Sequence, residues 1–417
     1  MNAPAFQSPA FFDDPYQYYE VLREQGPLVA LTADGRRFAT ARYGVVTALL
    51  DDRRMGRLYM RGVVRRYGEE RASQPTFQAL SRMFITMDPP EHTPLRALLM
   101  QAFNARQVER LREVARATAE RLIGELPHDK PFDLVSGYAL PLPVQVIAGV
   151  LGLPFEEAAA IGLKMERFAR AFETIAMDEP TLAAANEATL ELEQYFYGVL
   201  EARRTQPGND LVSMLISVEA DGRRLTDDEI VSNVLLLFFA GHETTSNMIG
   251  NAVVSLHRHP EQLKKLREQP QLLQKAIIEC MRYEGSVQTA LRTTLEDGVE
   301  IEGVALPRGS IVTLMLGGAN RDPAQFHNPN QLILDRPEND KRILSFGGGL
   351  HYCLGARLAQ LELHIALDTL LTRLPDLRVL NLDDLHWRHH NTLRGVEALW
   401  CEHPATSATA AAARAVA

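Results

Sequence analysis

The chain has 417 residues, 46% of them hydrophobic, and a formal net charge of −9. That length can bury one large core or two of ordinary size, and the acidic balance argues against a general nucleic-acid binder. Three cysteines leave no disulfide framework, the best apolar run (Val234 to Gly241) is too short to span a membrane, and Met1 to Pro9 lack the regions of a signal peptide. The expectation is a soluble cytoplasmic protein.

Asp14-Pro15 opens a predicted helix from about Tyr16 to Gln25, which Gly26-Pro27 terminates. Leu28 to Leu31 and Arg37 to Thr40 alternate around Ala33-Asp34-Gly35 and read as a hairpin. Arg53 to Arg82 is basic and weakly patterned, which suggests loop with short helices. The prolines of Met87-Asp88-Pro89-Pro90-Glu91 open a helix on which His92 and Arg96 share a face. Arg106, Arg110, Arg112 and Arg116 lie in the next helical segment, to about Leu126. Read alone, both sets are solvated charged faces. Phe132 to Leu153 is proline-rich, and helices follow from Phe155 to Arg203 with a softer stretch at Ile175 to Pro180. Pro207-Gly208-Asn209 is a turn too short to mark a domain boundary.

Thr226-Asp227-Asp228-Glu229 is a capping box that opens a long helix to about His259. Leu235 to Phe239 make its middle apolar around much of the circumference, so it should thread the core. Within that middle stand Ala240-Gly241-His242-Glu243-Thr244-Thr245. An acid and two β-branched alcohols are costly in a buried helix unless they find partners, and Gly241 weakens it by roughly 1 kcal/mol relative to Ala. Local faults of this kind often mark function; the bland reading is a satisfied kink. His242 reads as a packing residue. Further on, Glu279 and Arg282 sit three apart on a helix that Gly285-Ser286 closes. Val299 to Ile301, Val304 to Leu306 and Ile311 to Leu314 are expected to form a small antiparallel sheet.

The densest signal is Phe346-Gly-Gly-Gly-Leu-His-Tyr-Cys353-Leu-Gly355. Leu354, Leu358, Leu361 and Ile365 then recur at helical spacing until Pro375. Cys353 thus lies at the mouth of a helix, whose N-terminus favours thiolate. Glycines on its approach let backbone come close to a flat object. A thiolate held there as the sole protein ligand suits iron in a planar macrocycle; the bland alternative is a buried structural cysteine. Zinc would need more ligands than Cys353 and His351 supply, since Cys280 and Cys401 are remote in sequence. Beyond it, Leu377 to Leu380 and Val396 to Trp400 read as strands, His389 and His390 as neighbours facing opposite sides, and the alanine-rich 405–417 as a frayed tail.

Phe346, Gly347, Gly349, His351, Cys353, Gly355 and Ala359 resemble the haem-binding signature of the cytochrome P450 family. The resemblance covers about residues 14–403, with four motifs in the family's order. It implies a single, mainly α, prism-shaped domain with a small antiparallel β subdomain. By that resemblance, Cys353 is the axial ligand of haem b, and Ala240-Gly241 leave room for O2. Glu243 and Thr244 relay protons, while His92, Arg96 and Arg292 bind the haem propionates. Glu279 and Arg282 join Arg336 in a structural ion network. The family often has a propionate-binding His where this chain has Ile343, with Arg342 as a substitute. The softer stretch 175–180 would belong to a lid over the substrate chamber. Phe84, Leu235, Phe239, Ala240, Val287, Ala290 and Leu393 would wall that chamber.

The activity implied is a monooxygenase acting on a hydrophobic secondary metabolite such as a terpenoid, polyketide or steroid. Electrons would come from NAD(P)H through a ferredoxin reductase and a ferredoxin, the latter docking near Arg106 and Arg110. The protein is expected to be monomeric and without a membrane anchor. A haem-thiolate enzyme that uses peroxide or catalyses coupling or desaturation would share these motifs, and a non-enzymatic haem sensor would share Cys353.

Overall fold

The computed structural model describes residues 6, 8–103, 105–173, 176–220, 222–337 and 343–403, without the side chains of 105–107 and 110. Arg342, the side chains of Arg106 and Arg110, and the alanine-rich tail lie outside the described residues.

In the N-terminal part, Asp14 accepts the Tyr16 N–H at 3.1 Å and starts α1 (Tyr16–Gln25). The hairpin follows as β1 (Val29–Ala30) and β2 (Arg37–Thr40). The basic segment after α2 (Tyr43–Asp51) resolves into β3 (Met55–Gly56), α3 (Tyr59–Tyr67) and shorter helices. Next come α4 (His92–Ala102), α5 (Ala105–Glu125) and β4 (Phe132–Asp133), then α6 (Pro141–Leu151), α7 (Phe155–Ala169) and α8 (Glu179–Thr205). A short ribbon, β5 (Glu219–Ala220) and β6 (Arg223–Arg224), precedes α9 (Asp227–Arg258). The chain continues through α10 (Leu273–Tyr283), β7 (Thr289–Thr294), β8 (Val299–Ile301), β9 (Val304–Leu306) and β10 (Ile311–Met315). It ends with α11 (Ala356–Arg373), β11 (Arg378–Val379) and β12 (Trp400–Glu402). The molecule is mainly helical, with small sheets.

The capping box of α9 forms as the sequence demands: Thr226 Oγ1 accepts the Glu229 N–H at 3.2 Å, and Glu229 Oε2 accepts the Thr226 N–H at 3.0 Å. The helix is buried over most of its length and packs against α6, α8, α10 and α11. Polar residues in it survive burial by finding partners. Asn233, for example, donates to the carbonyls of Arg82 and Glu229 and accepts from the Phe84 N–H.

The strands depart from expectation in one respect. The three segments from Val299 to Leu314 do not make one sheet. Glu302 (φ 47°) and Gly303 (φ 82°) close β8 and β9 into their own hairpin, as a two-residue turn with both centres left-handed does. β10 instead joins a five-stranded sheet of order β1-β2-β10-β7-β3, antiparallel to β7 and parallel to β2. Its Val312, Leu314 and Met315 are buried there, which decides the partner. The last strand begins only at Trp400, while Val396 makes an isolated bridge with Trp387.

The ion network inferred from spacing is fully buried. Arg282 meets Glu279 in a bidentate pair at 2.7 and 2.8 Å, and Arg336 Nε reaches both oxygens at 3.1 and 3.2 Å. Spare guanidinium N–H groups donate to the carbonyls of Asn320, Pro329 and Gln331. Removing the carboxylate strands two buried cations. Glu279→Ala should therefore lose roughly 3–5 kcal/mol of stability, read by urea unfolding followed by circular dichroism. Unchanged unfolding would remove the network from any structural role.

Candidate active site

A cavity of about 1210 Å³ separates α9 from the Cys353 loop. Phe84, Phe239, Ala240, Val287, Ala290 and Leu393 line it, as do Gly241, Glu243, Thr244, Arg292, Phe346, Gly347, His351, Cys353, Gly355 and Ala359. Leu235 does not. It is completely buried on the far side of α9, with Phe238 and His242, because the cavity face repeats as Leu236, Phe239, Ala240, Glu243 and Thr244. Leu393 arrives through a bridge to Val287 that clamps the C-terminal turn to the strand region. Phe172, just beyond α7, stacks on Phe239 with ring centroids 4.6 Å apart and so packs on the cavity wall.

The Cys353 loop is shaped by its glycines. Gly347 and Gly349 have φ of +68° and +60°, which other residues adopt at a cost. A Cβ on Gly349 would lie 2.0 Å from the Leu50 carbonyl oxygen. That glycine therefore serves close packing on α2 rather than approach to a flat ligand. The Cys353 N–H donates to the Phe346 carbonyl at 3.0 Å, drawing the loop closed, and the side chain stays exposed, its thiol lining the cavity. Helix α11 starts three residues later, so the expected N-terminal lowering of the thiol pKa does not prevail. Although the thiol opens into the cavity, the protein packed around it desolvates it and pushes it up, against pulls from the Gly355 N–H and Arg96.

Beside this loop lies a crowd of basic side chains. His92 is buried with neither ring nitrogen bonded, and its ring stands 4.5 Å from that of His351, whose Nδ1 is also unpaired. Arg96 donates to the Tyr352 carbonyl at 2.5 Å and leaves Nη1 without a partner. Arg292 lines the cavity, and its Nη1 bonds only its neighbour's carbonyl, Leu291, at 3.0 Å. The sequence reading missed a fifth member, Arg57, which lay in the weakly patterned basic stretch. Asp88 accepts the backbone N–H groups of Arg57 and Leu58 at 2.7 and 2.9 Å and holds Leu58 left-handed (φ 41°), turning Arg57 inward with its Nε unpaired.

Burial lowers Arg57 to about 9, helped by repulsion from Arg292, and lowers Arg292 to about 10, with Asp88 opposing both; burial and the neighbouring Arg57, Arg292, His92 and Arg96 lower His351 to about 2. Orphaned, desolvated donors around one opening call for an anion with several oxygens. A haem, with two propionates above a thiolate, satisfies both halves of that description, so the residues present fit the group.

On the opposite wall α9 continues unbroken through Gly241 to Thr245. A Cβ on Gly241 would meet Ile147 of α6 at 3.1 Å, so this glycine also permits close helix packing. Thr244 Oγ1 donates to the Ala240 carbonyl at 2.8 Å. Burial raises Glu243 to about 7, with Arg388 opposing and Glu173 and Glu166 reinforcing. His390 Nδ1 stands 3.9 Å from Glu243 and 3.8 Å from Glu173. His389 faces away and stacks on Phe12. His242 bonds the Phe238 carbonyl at 2.8 Å and packs on that ring, which makes it a core residue. Another acid missed from sequence is Glu362 on α11, which lines the cavity with one oxygen unpaired and a carboxyl whose pKa burial pushes well up.

Comparison with known proteins agrees with this site. The cytochrome P450 family model matches residues 164–375. Cytochrome P450 133B1 of Xylella fastidiosa (strain 9a5c) is 47% identical over 96% of this chain and 98% of its own length. The vitamin D(3) 25-hydroxylase of Pseudonocardia autotrophica is 36% identical over 94% of each chain. Among solved structures, P450BioI in complex with acyl carrier protein ligated to hexadec-9Z-enoic acid superposes with a TM-score of 0.87 at 32% identity, covering 95% of this chain and 99% of that one. The chain belongs to the cytochrome P450 family. It is therefore a monooxygenase of the oxidoreductase class, whose family works with a haem-thiolate cofactor and O2. Among the described residues no single helix is long and apolar enough to cross a membrane.

Gly349→Ala tests the loop. With a left-handed φ and a backbone oxygen in the way, it should cost about 1–3 kcal/mol or more. Gly62→Ala, in the interior of α3 with nothing near its added Cβ, should instead gain about 0.4–1 kcal/mol. Thermal melting of both variants gives the comparison, and equal melting temperatures would contradict it.

Proposed function

We propose that a single domain with its core at 14–403 holds haem b on Cys353 and hydroxylates or epoxidises a hydrophobic small molecule. The observation that carries this reading is one cavity with an exposed thiol on its floor and unpaired buried cations beside it. Arg57, Arg96, Arg292, His92 and His351 would hold the propionates; Arg57 takes the place that Ile343 leaves open. Charge-assisted hydrogen bonds to those carboxylates would satisfy the donors that are orphaned. The haem supplies an iron centre that takes two electrons and activates O2. One oxygen atom enters the substrate and the other leaves as water, with two protons consumed.

The chain's own residues supply those protons and keep out others. Glu243, at about 7, can give a proton and regain it near neutrality. Thr244, one residue on along the cavity wall, is positioned to pass it inward. Phe172 on Phe239 and the apolar lining keep bulk water off. We assign the electrons to NAD(P)H through a ferredoxin reductase and a ferredoxin, in the cytoplasm, with the chain acting as a monomer. Two of the arginines expected at the ferredoxin surface are already paired, Arg112 with Glu109 at 2.6 Å and Arg116 with Asp368 at 3.3 Å. Arg106 and Arg110, whose side chains lie outside the described residues, are the residues to test by charge swaps. A terpenoid, polyketide or steroid skeleton suits the apolar walls, and the 25-hydroxylase relative acts, by its name, on such a molecule.

The reduced protein under carbon monoxide should show the red-shifted Soret band of thiolate-ligated haem, and Cys353→Ala should lose it. A histidine-like band, or no haem, would overturn the reading. Titration with hydrophobic compounds would then identify a substrate. With it, the coupled rate should fall as pH rises through about 7, because a raised carboxyl pKa means the donating acid exists below that value. Glu243→Gln should lower the rate by about 10²-fold or more and remove the inflection; a profile unchanged by that substitution would exclude Glu243 as the proton donor.

A further inference from the structure

A second group of arginines stands apart from the buried one. Arg36 and Arg37 on the β1–β2 hairpin, Arg61, Arg65 and Arg66 on α3, and Arg308 before β10 are all exposed, and all line the same cavity as Cys353. Among the described residues none of the six forms an ion pair with a carboxylate. Arg36 donates to the Arg308 carbonyl at 2.9 Å, and Arg66 to the Glu173 carbonyl at 3.2 Å. Both contacts fix a guanidinium in place without pairing it to a carboxylate. Asp34, which accepts from the Thr32 hydroxyl and the Arg36 backbone N–H, is a single negative charge acting on Arg36, Arg37 and Arg65 without an ion pair to any of them, so the cluster stays strongly positive. Arg37 feels the charges of Arg65 and Arg66 directly, and its pKa is lowered by burial and by both.

Surface arginines on an ordinary solvated face are interspersed with acids. Here the whole chain is acidic, at −9, and six cations gather at one edge of an apolar chamber. Such a rim focuses potential into the opening and attracts anions that the remaining surface repels. Guanidinium forks also match the planar geometry of a carboxylate.

We propose that the chamber takes an amphipathic acid, whose carboxylate is held by the rim of Arg37, Arg65 and Arg66 while its apolar chain extends toward Cys353. This rests on the haem-thiolate reading and narrows its substrate class. Polar and apolar ends of the cavity then have separate tasks. The rim fixes one end of the molecule, so the position oxidised is set by chain length from the carboxylate.

The test compares the C14 saturated acid, the C14 alcohol and the C14 alkyl phosphate on the haem-loaded full chain, below their micellar concentrations, by isothermal titration calorimetry. The acid should bind about tenfold or more tightly than the alcohol, the scale of one or more hydrogen bonds to a charged group. The gap should shrink between about 50 and 500 mM salt, because the rim is exposed. In the triple variant Arg37→Gln, Arg65→Gln, Arg66→Gln the acid should fall to the level of the alcohol, with the alcohol unchanged. Lysine at the same three positions should keep a preference for the acid over the alcohol but a smaller one than the native chain, because an ammonium carries the charge without the fork. Equal binding of acid and alcohol to the native chain, equal weakening of both in the glutamine variant, or a preference for the phosphate alone would each overturn the proposal. The carbon monoxide spectrum of the same preparation separates the two readings. A preparation without the thiolate band fails the haem-thiolate reading, whereas a normal band with no acid preference overturns only the carboxylate rim.

Discussion

Buried guanidinium charge that little besides Asp88 offsets, with two orphaned imidazoles beside it, is the constraint on which this site depends. Arg57, Arg96, Arg292, His92 and His351 converge beside Cys353, and several of their donors have no protein partner. Taking a charge out of water is expensive unless it is paired, so the fold is made for an anion it does not itself contain. Occupancy by a dianionic cofactor would offset that cost and stabilise the folded chain by mass action. The elements that bring the cations in are accordingly well braced. Asp88 pins the backbone entering α3, Arg96 is tied to the Cys353 loop, and the fully buried Glu279–Arg282–Arg336 network anchors the segment ahead of that loop.

The long helix α9 bears the opposite electrostatic task. Its cavity face presents Glu243 in surroundings poor in water, where the acid keeps its proton up to about pH 7. Because the folded chain holds that proton longer than the unfolded one, the burial lowers stability as pH rises from the ordinary carboxylate range to about 7. Arg388 moderates the shift and Glu173 strengthens it, and His390 stands between the two carboxylates. Glu173, just beyond α7, and His390 in the C-terminal turn thus both stand close to one acid.

Much of this was legible in the sequence because it rests on local signals. The capping box of Thr226 and Glu229, the hairpin at Ala33-Asp34-Gly35 and the pairing of Glu279 with Arg282 are properties of a few adjacent residues. What the sequence hid depends on long-range geometry. Arg57 owes its inward direction to Asp88, thirty-one positions away. β10 chose β2 and β7 over its neighbouring hairpin through burial that alternation alone does not rank. Gly349 was read as making room for a ligand, yet the atom it accommodates is the Leu50 carbonyl, on a helix nearly three hundred residues earlier. Leu235 fell on the wrong side for a simpler reason: in a helix apolar all round, composition does not say which stripe faces a cavity.

Arginine is used here in two physically distinct ways. In the buried set, desolvation makes each guanidinium costly, its pKa falls, and it is committed to whatever anion relieves it. In the exposed set at the rim, water still solvates the charge, so the interaction with any single anion is weaker, reversible and screened by salt. The first arrangement suits a group that stays; the second suits one that arrives and leaves. Separation between the two sets is enforced by the turn at Leu58, which sends Arg57 into the core while the next turn of helix carries Arg61, Arg65 and Arg66 along the opening. A stretch that is only basic in composition is thus divided at one left-handed residue into a buried arginine and an exposed row of arginines on the same cavity.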